Sequence, residues 1–231
     1  MNAASPGVIA LFQPNKHYAT QDAYLEALAE AMAAEYKAIV DAGLIVQLDS
    51  PDLGLGRHML FKGKSDEEYQ AQASLHVDAL NHALADIPKD RVRLHVCWGN
   101  YEGPHHHDAP MEMVLPIALR ANVGALLFES SNPRHAHEWE VFANTPLPDD
   151  LFLIPGVIDS TTNFVEHPKL VAERICRFAD IVGRERVIAG SDCGFSTFAG
   201  FGAVDEDIVF AKLASMADGA RLASERLWGS S

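Results

Sequence analysis

At 231 residues and 48% hydrophobic content, the chain is long enough to bury a sizeable core in one domain. Its 18 basic and 32 acidic residues leave a formal net charge of -14, which argues against nucleic acid and anionic membrane as partners, because both repel an acidic surface. No apolar run is long enough to span a bilayer, no charged-then-apolar leader opens the chain, and three scattered cysteines do not make a secreted disulfide framework, so the expectation is a soluble cytoplasmic protein.

Ser5-Pro6-Gly7 reads as a turn, and the apolar run Val8 to Phe12 as a short first strand. Thr20 caps a helix from Gln21 to about Asp41, ended by Gly43. Leu44 to Leu48 predicts a buried strand with Asp49 at its tip. Ser65 to Glu68 opens a second helix as a capping box, and that helix runs to about Ala85. Val92 to Cys97 is the next strand. A loop through His105-His106-His107 then leads to a helix that runs through Pro116 to about Arg120. Strands follow at Leu126 to Phe128, Phe152 to Ile158 and Val187 to Ala189. Helices are expected near His135 to Phe142, from His167 to about Val182, and from Asp205 to about Leu227. Strands alternating with helices predict an α/β fold with a parallel sheet. With no repeat and no Pro/Gly/Ser-rich linker, residues 1–231 read as a single domain.

The chemistry gathers where strands end. His95 and Cys97 are two apart on one strand and point the same way. Glu129 follows Leu126-Leu127-Phe128, where a buried carboxylate costs several kcal/mol unless it is paired or metal-bound. Cys193 lies beyond the last strand, before a glycine that permits a tight turn. Taken singly, an inward His or Cys is most often core. Together, two thiols, an imidazole and a carboxylate make a zinc-type ligand set. Cys176, mid-helix among Leu170, Val171, Ile175 and Ala179, reads as a small core residue.

HVCWGN, LLFESSNPR and VIAGSDCGF, with LIVQLDSPDLG and IPGVIDS in the same order, closely resemble the zinc-binding strand ends of cobalamin-independent methionine synthase. The likeness covers nearly the whole chain. It is nearest to the shorter single-barrel relatives, which include thiol alkyltransferases of the epoxyalkane–coenzyme M transferase type. The resemblance implies a TIM (β/α)8-type barrel, here lacking its first two strand–helix units. It also implies zinc held by His95, Cys97, Glu129 and Cys193, and transfer of a methyl or other alkyl group to a small thiol of the homocysteine type, as in methionine biosynthesis. By the same resemblance Asp49 holds the substrate's amino group, and Asp159 stands near the reacting centre. Arg134 reads equally well as a partner for a substrate carboxylate or sulfonate and as part of a helix-entry loop.

The chain departs from the family pattern after Asp159. Ser160, Thr161 and Thr162 stand where methionine synthase carries a histidine that handles the proton of the folate leaving group. A different thiol with an epoxide or other non-folate donor is therefore a rival expectation. The non-enzyme rival is an inactive zinc-binding barrel fragment or subunit, with an oligomer or partner chain completing the barrel. His105 to Asp108 reads as a polar loop, or as a second metal or substrate contact. Trp98 and Tyr101 could wall the zinc, and Phe195, Phe198 and Phe201 could form a lid or packed core. No Walker loop, dinucleotide fingerprint or nucleophile elbow is present.

Overall fold

The computed structural model describes residues 1–59, 61–197, 200, 202 and 204–229, with the side chain of His58 outside that description. The strands are β1 (Asn2–Ala4), β2 (Val46–Asp49), β3 (Val92–Val96), β4 (Ala125–Phe128), β5 (Phe152–Ile158) and β6 (Gly190–Ser191). They form one α/β sheet whose order follows the chain. The pairs β1/β2, β2/β3 and β5/β6 are parallel. Parallel neighbours need crossovers, and helices provide them: α1 (Pro6–Phe12), α2 (Gln21–Asp41), α3 (Gly56–Met59), α4 (Asp66–Ala83), α5 (Met111–Ala118), α6 (Trp139–Asn144), α7 (Pro168–Val182) and α8 (Glu206–Trp228).

Val8 to Phe12 is helical, not a strand. Ser5 is extended, its Oγ accepts the Val8 N–H at 3.1 Å, and Pro6 occupies the first turn. Ser-Pro is thus a cap with its pre-set first residue, not a turn. A five-residue apolar run carries no periodicity able to separate the two states. The first strand is instead the three residues upstream, Asn2–Ala4. At the other end of the sheet, Val187 makes only an isolated bridge to Leu153, and the ladder moves on to Gly190–Ser191 with an irregularity opposite Gly156 and Ile158. The remaining helix starts follow their caps. Thr20 Oγ1 accepts from Ala23, Ser65 and Glu68 form both halves of a capping box, and Asp205 accepts from Asp207.

The chain packs as two compact units, Met1–Gly99 with His106–Leu126, and Asn100–His105 with Leu127–Ser231. In the first, α2 packs on α4, and the fully buried Leu48, Leu94, Tyr36 and Tyr69 belong to its core. The Tyr36 hydroxyl donates to the Ala4 carbonyl at 2.5 Å and the Tyr69 hydroxyl to that of Leu53. In the second, β5, α7 and α8 share a core of Val157, Ile158, Val171, Ala172, Ile175 and Ala223, with Cys176 packed against it as expected. Gly219 lets α8 approach α7 closely, since a Cβ there would fall 2.3 Å from Val171 Cγ1. No described helix is long and apolar enough to cross a membrane.

Candidate metal centre

In the first unit, the parallel register sets Asp49 at the end of β2 opposite His95 on β3. The His95 Nε2 and Asp49 Oδ1 atoms are 3.9 Å apart. His95 is buried, and burial holds its pKa down to about 4, so the ring is neutral at physiological pH and able to donate a lone pair. Cys97, one residue past the strand, is also buried, and its Sγ accepts the Gly99 N–H at 3.2 Å. Gly54 makes room for this turn, because a Cβ there would lie 2.5 Å from the Cys97 carbonyl oxygen. Asp49 is half-exposed. Partial burial, then the charge of Asp52, raise its pKa to about 6, which leaves it ionised at neutral pH.

In the second unit, the loop leaving β4 is a buried polar run, Glu129-Ser130-Ser131-Asn132. Its amides turn inward onto Asp192. Oδ1 accepts from the N–H groups of Ser130 and Ser131 at 2.8 and 2.9 Å. Oδ2 accepts from Ser131 Oγ, the Asn132 N–H and Asn132 Nδ2 at 2.9, 2.9 and 2.8 Å. Burial and the neighbouring Glu129 carboxylate push the Asp192 pKa up to about 6, while these donors oppose the shift. The two oxygens of Glu129 are used differently. Oε2 accepts from Arg134 Nη2 at 2.7 Å and Asn132 Nδ2 at 2.8 Å, whereas Oε1 lies 3.7 Å from the buried Cys193 Sγ.

The described residues that could hold a metal ion are His95 and Cys97 in the first unit and Cys193, with Glu129 Oε1 3.7 Å from its Sγ, in the second. The structure gives the Arg134 guanidinium to Glu129 and to Asn132 Oδ1, which it reaches at 3.1 Å. Asp159 is buried, its Oδ1 accepting from the N–H and Oγ1 of Thr161, both at 3.0 Å.

The chain matches the family model described as the cobalamin-independent synthase catalytic domain over residues 9–221. It belongs to that family. A 2-hydroxypropyl-CoM lyase of Xanthobacter autotrophicus is 29% identical over 143 residues, 51% of this chain and 38% of that protein. A methionine synthase of Saccharolobus islandicus is 25% identical over 229 residues, 96% of this chain and 57% of the relative. The chain thus spans about half the length of the curated relatives it matches. Among solved structures, a B12-independent methionine synthase from a Shewanella species, in complex with selenomethionine, matches with a TM-score of 0.71 at 16% identity, covering 99% of this chain and 63% of that one. A likeness at that identity shows the fold, the parallel α/β barrel type expected from the sequence.

Two of the hydroxyls that follow Asp159 are committed within the protein. Ser160 Oγ donates to Asn100 Oδ1 at 2.9 Å, and Thr161 Oγ1 to Asp159. Asn100 Nδ2 also reaches the Gly194 carbonyl at 2.5 Å and Thr197 Oγ1 at 2.7 Å. Sequence reasoning missed Asp192, Asn132 and a buried pair behind Asp159. There the Asp159 N–H donates to Glu166 Oε1 at 2.8 Å, and the fully buried Lys212 donates to Glu166 Oε2 at 2.9 Å. A polar run directly after an apolar strand was the available signal for Asn132. His105 stacks on Tyr101 with ring centroids 4.1 Å apart and adopts φ 50°, and His106 lies against His107, so the histidine tract pairs by ring contact. Trp98 is fully buried, with Nε1 donating to the Ala109 carbonyl at 2.7 Å. Phe195 packs against the β5–α7–α8 core; Phe198 and Phe201 lie outside the described residues.

Proposed function

We propose that the protein is a zinc-dependent enzyme that transfers a methyl or other alkyl group to the sulfur of a small thiol in the cytoplasm. The carrying observation is the buried donor set: a neutral imidazole, two thiols, and a carboxylate with one oxygen tied and the other turned toward Cys193. One nitrogen, two sulfurs and one oxygen suit zinc better than the hard cations, which prefer oxygen cages. His95, Cys97, Glu129 and Cys193 would hold it. Bound there, zinc would supply a Lewis acid that lowers the pKa of a substrate thiol from its ordinary value of about 8.5. Half-exposed Asp49 offers an ionised carboxylate to an ammonium group on the thiol substrate. Asp159, one residue past β5, accepts from Thr161 and is anchored through its N–H to Glu166, and it would orient the alkyl donor. Arg134 neutralises Glu129 and can share its guanidinium with a substrate anion.

A second reading, an epoxide or other non-folate donor, is favoured by Ser160 and Thr161. Neither hydroxyl titrates near neutral pH, and each already donates within the protein, so neither replaces an acid for a folate nitrogen. The relative named as a 2-hydroxypropyl-CoM lyase agrees with this reading. A screen of zinc-loaded protein against small thiols and alkyl donors, following thiol consumption, tests both readings, with Cys193→Ser as control. Turnover with an epoxide but not with methyltetrahydrofolate selects the second. Equal rates in the Cys193→Ser protein would remove the proposed centre from the chemistry.

A further inference from the structure

Asp192 is a buried carboxylate with no place in the ligand set, yet it accepts five hydrogen bonds. Three residues of the β4 exit loop supply all five. Its position is also built from the opposite side. Gly156 on β5 leaves the space it fills, since a Cβ there would stand 2.0 Å from Asp192 Oδ1. The far side of the loop is pinned as well, for Arg174 donates to the Ser131 carbonyl at 3.0 Å and to the Val157 carbonyl at 2.9 Å. Asn132 Nδ2 completes the arrangement by bridging Asp192 Oδ2 and Glu129 Oε2, both at 2.8 Å. Cys193 is the next residue after Asp192. One amide therefore joins the residue beside one proposed ligand to the carboxylate of another, across more than sixty positions of chain.

We infer that Asp192 is a positioning residue: through Ser130, Ser131 and Asn132 it fixes Glu129 against Cys193, so that the ligand pair of this unit is set before any metal arrives. The inference rests on the metal-binding reading above. Its physical basis is that residues around metal ligands orient them, and their loss lowers metal affinity by about 10–100-fold. The carboxylate itself is required. In Asp192→Asn the amide nitrogen must replace one oxygen, and either choice sets a new donor against two existing N–H donors: those of Ser130 and Ser131, or Asn132 N and Nδ2.

The test is zinc affinity of the full chain, measured by competition with a chromophoric chelator, together with the absorption spectrum of the cobalt(II) form. Circular dichroism and thermal unfolding of the metal-free proteins serve as fold controls. Asp192→Asn should bind zinc at least about 10-fold more weakly and alter the sulfur-to-cobalt bands, because the ligand geometry has changed. Ser131→Ala removes a single neutral donor and should show a several-fold loss; it decides the matter if Asp192→Asn does not fold. Wild-type affinity and an unchanged cobalt spectrum in a folded variant overturn the inference and leave the metal site standing. Failure of the wild-type chain to bind zinc overturns the metal-binding reading itself, and the inference with it.

Discussion

Each unit of the molecule buries one carboxylate beside a glycine, and the two are satisfied in opposite ways. In the first, Asp52 lies against Gly7, accepts from Ser5 Oγ at 3.1 Å, and pairs with His76 Nδ1 at 2.9 Å, whose other nitrogen meets Gln72 at 3.1 Å. In the second, Asp192 lies against Gly156, and its five hydrogen bonds come from neutral donors. Asp52 ties together the start of α1, the turn after β2 and α4, all framework. Asp192 ties a loop that begins with Glu129 to a turn that continues into Cys193. A carboxylate bonded to a helix cap and a helix side chain ties helices together, whereas one wrapped by backbone N–H groups shapes a loop. The same buried group thus serves the fold in one unit and the candidate site in the other.

The largest expected effect breaks the second side of this comparison alone. Removing metal with a strong chelator should abolish alkyl transfer, and adding zinc back should restore it. The metal-free chain should keep its far-ultraviolet dichroism, because the Asp52 network contains no proposed ligand. A chain that unfolds on chelation would make the metal structural and would contradict the division of labour drawn here.

Next is Asp52→Ala. Removing the shared acceptor leaves the buried His76 ring and the Ser5 hydroxyl without their partner and should lower stability by about 3 kcal/mol, read as a shift of the urea midpoint. Zinc stoichiometry of the fraction that remains folded should be unchanged. A loss of metal at full stability would mean that Asp52 acts on the site and not on the frame.

The glycines sharpen the contrast. Gly7→Ala would bring a Cβ to 2.1 Å from Asp52 Oδ2, and Gly156→Ala would bring one to 2.0 Å from Asp192 Oδ1. Both should cost about 1–3 kcal/mol as overpacking. Only Gly156→Ala should also weaken zinc binding in the chelator competition. Equal metal affinities in the two variants would remove the link between Asp192 and the ligands.

What the sequence disclosed follows the same line. Strand ends were legible because short, mostly apolar runs stop abruptly at polar residues, which located Asp49, Glu129 and Asp159, whereas His95 and Cys97 were found by their two-residue spacing on one strand. Helix starts were legible at Thr20, Ser65 and Asp205, because a cap is a local arrangement of side chain and backbone within three residues. Val8 to Phe12 was misread, because Ser5-Pro6 fits a turn as well as a cap, and the run is too short for its period to decide. Asp192 was hidden for another reason: its partners are about sixty residues away, and no local pattern encodes them. Gly156, in the middle of an otherwise apolar strand, was the one local sign that something approaches closely there.

The smallest expected effect tests whether Ser5 belongs to the network or is only a cap. Its Oγ accepts the Val8 N–H and also donates to Asp52, whereas Ser65 Oγ accepts the Glu68 N–H at an exposed helix start. Ser65→Ala should cost about 1 kcal/mol, the ordinary value of a cap. Ser5→Ala loses the same cap and in addition leaves a buried carboxylate short of a donor, so it should cost about 2–3 kcal/mol. Both are read from urea unfolding under identical conditions. Equal losses would show that the Ser5–Asp52 bond contributes nothing beyond the cap. Asp52 would then be held by His76 alone, a single partner against the five hydrogen bonds of Asp192.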